Sequence, residues 1–138
     1  MKAQINNLDL SYKGNEVDNV RIRYRIGEGN IRGNGRFSVS SSEYDGSIKN
    51  LESICGDHIV KKIDDASVSI ESTKVKYDGD EIGDATIHFR ASTENASLNL
   101  SGNYEMNAED YQENITPDAL KDFTKDYLKN LVETDNAE

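Results

Sequence analysis

The sequence predicts an α+β fold: a tandem duplication of a β-β-β-α unit, with an antiparallel sheet carrying two helices on one face. Three observations predict it. The chain resembles itself at a displacement of 65 to 69 residues. Six segments alternate apolar and polar residues with the period of a half-buried strand, and two segments carry apolar residues every three or four positions, as amphipathic helices do.

The self-similarity runs through every element. At a shift of 65, Ile5 meets Ile70, Tyr12 meets Tyr77, Gly14 meets Gly79, Ile22 meets Ile87, Tyr24 meets Phe89 and Arg25 meets Arg90. At a shift of 67, Ile31 meets Leu98, Gly35 meets Gly102, Phe37 meets Tyr104 and Tyr44 meets Tyr111. At a shift of 69, Ser47 meets Thr116, Leu51 meets Leu120, His58 meets Tyr127, Ile59 meets Leu128 and Ile63 meets Val132. The two steps fall where loops are expected, and loops absorb insertions.

The first strand of each unit starts at Ala3/Ile5 or Val68/Ile70. It changes parity at Asn6-Asn7 or Glu71-Ser72, then continues through Leu8, Leu10 and Tyr12 or through Val75 and Tyr77. A one-residue slip turns every later side chain to the other face, so each parity change predicts a β-bulge. Lys13-Gly14-Asn15 and Asp78-Gly79-Asp80 supply the first turns. The second strands follow as Val20, Ile22, Tyr24, Ile26 and as Ala85, Ile87, Phe89, Ala91. The third carry Ile31, Phe37, Val39 and Leu98, Leu100, Tyr104, Met106, with Gly33 and Gly35 marking a kink.

Helices close both units. Ser47 and Thr116 suit the N-cap, and Pro117 suits the first helical position. The first stripe is Ile48, Leu51, Ile54/Cys55, His58/Ile59 and Ile63; the second is Leu120, Phe123, Tyr127/Leu128 and Leu131. Gly56 lies inside the first helix, where close backbone packing would explain it. The first repeat is residues 1–65, the second 66–132, and 133–138 form a frayed tail. One compact domain is favoured, because a lone unit of about 65 residues buries too little surface to be secure.

Composition narrows the function. The 138 residues are 35% apolar and 30% charged, and no apolar run approaches the ~20 residues of a membrane span. Met1-Lys2-Ala3-Gln4-Ile5 has no signal-peptide core. The single cysteine, Cys55, supports no internal disulfide and fits a reducing, cytoplasmic compartment. One Cys with His58 and His88 makes no zinc cluster alone. No Ser-His-Asp set, phosphate loop or dinucleotide fingerprint is visible, so no catalytic residue, cofactor or metal is expected.

Charge is unevenly divided. Net charge is −10. Residues 1–65 are neutral, with 10 Lys+Arg and 10 Asp+Glu, whereas residues 66–138 hold 6 and 16. In the neutral half Arg21, Arg23 and Arg25 alternate with Val20, Ile22 and Tyr24, so they point away from the helices, and Arg32 and Arg36 share that face. This array is a candidate binding face for phosphates or carboxylates. The competing explanation is cross-strand pairing with Asp9 and other acids. In the acidic half Glu105, Glu109, Asp110, Glu113, Asp118, Asp122 and Asp126 form a candidate acidic surface, either solubilising or able to imitate the charge of DNA. Asp78, Asp80, Glu81 and Asp84 lack the EF-hand pattern and read as a solvated hairpin. Cys55 reads as core, His58 as half-buried packing and His88 as outward-facing.

The stretch Phe37-Ser38-Val39-Ser40-Ser41-Ser42-Glu43-Tyr44-Asp45-Gly46, with the short helix after it, resembles a pattern in small uncharacterised proteins of phages and mobile elements of Gram-positive bacteria. The resemblance spans under half of the chain. It implies an accessory role and assigns no residue a function.

The leading expectation is a non-catalytic binding protein, a phage-borne inhibitor or adaptor that occupies a protein partner, with the acidic surface as one means. An anion- or nucleic-acid-binding module using the arginine face is the alternative; nucleic acid ranks low as a partner because the face has no aromatic stacking platform. A chaperone-like holdase and a structural protein are further readings. No membrane partner is expected, and the open sheet edges leave homodimerisation as an option.

Overall fold

The structure, a computed structural model, describes residues 3–44, 46–95 and 97–136. Met1 and Lys2, Asp45 of the Phe37–Gly46 stretch, the side chain of Ile48, and the last two residues of the tail lie outside the described residues. The elements are β1 (Ala3–Lys13), β2 (Glu16–Glu28), β3 (Ile31–Ser40), α1 (Ile48–Asp65), β4 (Ser67–Asp78), β5 (Glu81–Ser92), β6 (Leu98–Met106), α2 (Ala108–Glu113) and α3 (Pro117–Asn136). The fold is α+β, with one six-stranded antiparallel sheet in the order β1-β2-β3-β6-β5-β4.

Alternation decides which side chains meet the helices. Val20, Ile22, Tyr24 and Ile26 of β2 are buried, as are Ala85, Ile87, Phe89 and Ala91 of β5 and Leu98, Leu100, Tyr104 and Met106 of β6. Tyr24, Ile26 and the buried residues of β5 and β6 join Cys55, Ile59 and Ile63 of α1 and Leu120, Leu128 and Val132 of α3 in one cluster that extends across most of the sheet. The smaller cluster around Val20, Ile22, Val39 and Leu51 lies at the β1–β2 end. Both helices therefore cover one face, and the other face is open.

The register of β1 against β2 shifts between Ile5 and Asn7, and that of β4 against β5 shifts between Ile70 and Ser72, where the parity of each sequence changes. A second irregularity, at Ser11/Tyr12 and at Val75/Tyr77, leaves no parity signal because it falls at the hairpin tips. The Ser47 side chain accepts a hydrogen bond from Asn50 N–H (3.1 Å), and Thr116 Oγ1 accepts from Ala119 N–H (3.2 Å), so both N-caps form.

Three features differ from the expectation. A short helix, α2, precedes the last one; Asn107 caps it by accepting from Asp110 N–H (2.8 Å), and Glu109 and Asp110 sit in its first turn, where the helix dipole favours acids. The backbone of α3 continues to Asn136 rather than ending at Glu133. Gly33 and Gly35 do not break β3, which pairs with β2 from Ile31 to Ser40 without a shift. Their role is close approach. A Cβ on Gly33 would collide with the Asn99 carbonyl and the Leu100 side chain, and one on Gly35 with the Tyr24 hydroxyl and the Ser97 carbonyl. Gly102, at φ +150°, faces the Asn30 carbonyl in the same way.

Two aromatic groups fill the centre. Phe37 stacks on His58 with ring centroids 4.4 Å apart, and Tyr24 meets Phe37 at 6.0 Å and 60°. Tyr104 stacks on Tyr127 at 4.2 Å, and Phe89 meets Tyr104 at 5.9 Å and 61°. Outside the core, Lys129 bridges to Asp64 at 2.7 Å and Lys125 Nζ donates to the Asp64 carbonyl at 3.1 Å, tying α3 to the end of α1.

Gly33→Ala is expected to lower stability by roughly 1–3 kcal/mol through overpacking of the β3–β6 junction, read as a lower urea midpoint. An unchanged midpoint would contradict this account of the glycine.

Candidate functional site

The alternation that buries Val20, Ile22 and Tyr24 turns Arg21, Arg23 and Arg25 to the open face. Strand β3 turns Arg32 and Arg36 the same way, since Ile31 and Val39 are buried with the opposite parity. Strand β5 adds Arg90, between buried Phe89 and Ala91. These are all six arginines of the chain. Arg90 was not among the residues singled out from sequence, although its alignment with Arg25 was the signal that could have found it.

Register sets how the six are grouped. Arg23 lies directly opposite Arg36, Arg21 opposite Asp9 and Ser38, and Arg25 opposite Asn34. Arg32 and Arg90 flank Ser101 from its two sides. Two hollows result. One, of about 650 Å³, lies over the β3–β6 junction and is lined by Arg25, Arg32, Arg90, Asn34, Asn99 and Ser101. The other, of about 290 Å³, is lined by Arg21, Arg23, Arg36, Asp9 and Asn95 among others.

Among the described residues, three of these six guanidiniums are engaged, each by one contact. Arg25 Nε donates to Asn6 Oδ1 (3.3 Å), and Arg36 Nη2 donates to the Asn95 carbonyl (3.2 Å). Arg90 Nε lies 3.3 Å from Glu71 Oε1, with 69% of the arginine side chain exposed. Among the described residues no ion pair joins Arg21 to Asp9, although register places them together, and none engages Arg23 or Arg32. Arg23 and Arg36 instead face each other as like charges, roughly 5 Å apart at Cα.

The acidic residues are not gathered in the same manner. Glu105 is on the open face opposite Thr86, between buried Tyr104 and Met106. Asp118, Asp122 and Asp126 form an exposed row on α3, interleaved with Lys121, Lys125 and Lys129; Lys129 stands 3.7 Å from Asp126. Glu109, Asp110 and Glu113 are on α2. The seven acids thus divide between two sides of the sheet, and lysines dilute the α3 row. Asp78, Asp80, Glu81 and Asp84 are exposed around the β4–β5 turn.

Of the cysteine and the two histidines, Cys55 and His58 are in the core. Cys55 is fully buried, and burial, with Glu52 adding to it, pushes its thiol up to about 12. Such a thiol is protonated at neutral pH and a poor nucleophile. His58 packs between aromatic rings with Nε2 buried and unpartnered. Burial first, then the Lys62 and Lys61 charges, push its pKa down to about 4, against a hydrogen bond toward the Ser97 backbone. His88 is half-buried on the open face, opposite Ser72 and Asn103.

No described helix is long and apolar enough to cross a membrane. No protein-family model, no curated protein and no solved structure matches the chain.

Two outcomes follow from the site. Replacing Arg23 by Gln removes a like-charge contact, so stability is expected to rise by about 0.2–1 kcal/mol at low salt, with the gain shrinking at high salt; a loss of stability would contradict the unpaired reading of this arginine. His58 is neutral in the fold, and its pKa there lies below the ordinary 6.5. The unfolded chain therefore takes up the extra proton, and stability falls as pH drops from 6.5 towards 4. His58→Phe is expected to flatten the decline between pH 6.5 and 5 in chemical denaturation, and an unchanged slope would contradict it.

Proposed function

We propose that this chain is a non-catalytic binding protein whose working surface is the open face of the sheet and whose partner is an acidic protein surface. One observation carries the reading: all six arginines stand on the one face that no helix covers. Lysines, by contrast, are dispersed over β1, β4, α1 and α3. Arginine gives forked donors suited to carboxylates, and a sheet of six strands presents them in fixed rows. The opposed Arg23–Arg36 pair costs stability in isolation and is relieved when an anion sits between the two. A protein is favoured over nucleic acid because the buried aromatic rings of β2, β3, β5 and β6 belong to the helix side and offer no stacking platform on the open face.

The division of the acids between two sides speaks against a DNA-mimic surface as the main device. The placement of Cys55 and His58 in the core supports a binding role rather than chemistry. A phage-borne inhibitor or adaptor acting in the cytoplasm is the setting we attach to this reading; the resemblance of the Phe37–Gly46 stretch and the free, buried Cys55 support it.

Tandem duplication of a β-β-β-α unit is part of the same proposal. Its support is that residues aligned in sequence occupy matching places. Tyr24, Phe37 and His58 form one aromatic group and their aligned partners Phe89, Tyr104 and Tyr127 form the other, at similar distances and angles. The paired bulges agree with it.

The test is capture from nuclease-treated and untreated bacterial lysate with tagged chain. The expected result is one stoichiometric acidic protein that survives nuclease, is released by salt, and is lost when Arg21, Arg23 and Arg36 are changed together to Gln. Capture of nucleic acid alone, or capture indifferent to the triple change, would overturn the reading.

A further inference from the structure

We propose that the hollow over the β3–β6 junction is a binding site for a phosphoryl group. This deepens the reading of the open face as the working surface by naming the chemistry of one subsite on it.

The hollow is not an arbitrary part of the face. It is centred on the register pair Gly33–Leu100, the middle of the ladder that joins the first three strands to the last three. Three of the six arginines converge there from three strands: Arg25 from β2, Arg32 from β3 and Arg90 from β5. Arg25 stands one strand away from Asn34, and Arg32 and Arg90 stand on either side of Ser101, so the polar floor of Asn34, Asn99 and Ser101 lies between the three cations. Among the described residues no carboxylate lines the hollow. The nearest paired acid is Glu71, which meets Arg90 at Nε, while Asn6 holds Arg25, also at Nε. Both anchors take the inner nitrogen of the fork. The described residues make no hydrogen bond to the terminal nitrogens of Arg25, Arg32 or Arg90, and these are the groups that an incoming anion meets.

Ligand chemistry follows from the count and shape of the donors. A planar carboxylate has two oxygens and one charge, and a single guanidinium fork satisfies it. Three guanidiniums around an amide- and hydroxyl-bearing floor match a tetrahedral group with three free oxygens and close to two negative charges at neutral pH. The open shape admits a phosphoryl group attached to something larger as well as the free ion.

The experiment is amide and arginine side-chain NMR on the whole labelled chain at pH 7.5 and constant ionic strength. Inorganic phosphate and O-phosphoserine are titrated in separate arms, with acetate and chloride as controls. Saturable shifts at Gly33, Asn34, Asn99, Ser101 and the three arginines are expected. Arg25→Gln or Arg90→Gln is expected to weaken binding by about tenfold, the loss of one charge-assisted hydrogen bond. Arg25→Lys should retain part of the affinity, and Lys121→Gln, an equal change of charge on α3 at the helix side, should leave it unchanged. Tighter binding of O-phosphoserine than of phosphate assigns a phosphorylated protein segment as the source; equal or tighter binding of phosphate assigns the free anion; both uphold the site. No saturable shift with either, acetate binding as well as phosphate, or equal loss in Lys121→Gln would overturn it. A failure here leaves the captured acidic protein standing, since that capture depends on Arg21, Arg23 and Arg36.

Discussion

The β3–β6 pairing is the constraint on which the rest of the structure depends. It runs only from Ile31–Gly102 to Gly35–Leu98, yet it turns two three-stranded sheets into one of six. Either half alone would have about half the chain with which to build a core, and small units bury a poor share of their surface. Joined, they share a core in which Ile31, Leu98 and Leu100 are all buried at the junction. The glycines at the junction are what make the approach close enough, and the Ser97 carbonyl secures its end by accepting from Arg36 N–H (2.9 Å) and from the Tyr24 hydroxyl (3.3 Å).

A one-sided sheet follows from that junction, and so does the separation of charge. With α1 and α3 packed together on one face, every outward position of the strands is left to solvent. On the helix side, acids and lysines interleave, and Lys129, whose ammonium is held charged by Asp64, belongs to that network. On the open side the charged groups are mostly arginines; Asp9 stands opposite Arg21, and among the described residues Glu71 with Arg90 is the ion pair that forms. The chain is strongly acidic overall and still presents a basic face, so net charge alone would misjudge its partner.

Much of this was legible in the sequence because its period is strict. Period-two alternation placed Arg21, Arg23, Arg25, Arg32 and Arg36 on one face, and parity changes at Asn6-Asn7 and Glu71-Ser72 located two bulges. Ser47 and Thr116 declared two helix starts. The helix α2 was not legible, because six residues are too few to establish a helical period. Nor was the role of Gly33 and Gly35, since what they approach is a strand more than sixty residues away in sequence. The grouping of the arginines into two hollows likewise depends on strand order, which no local pattern encodes. Acid residues on helices were harder still, because their neighbours in space, Lys121, Lys125 and Lys129, decide whether they make a surface charge.

The most direct test of the account is a map of where an acidic chain touches the molecule. Poly-L-glutamate added to the labelled protein in low salt should perturb outward-facing amides of β2, β3, β5 and β6 around the arginines, and the perturbation should fade as salt is raised. Perturbations on α2 and α3 instead, or none on the open face, would contradict the claim that this face is the working surface.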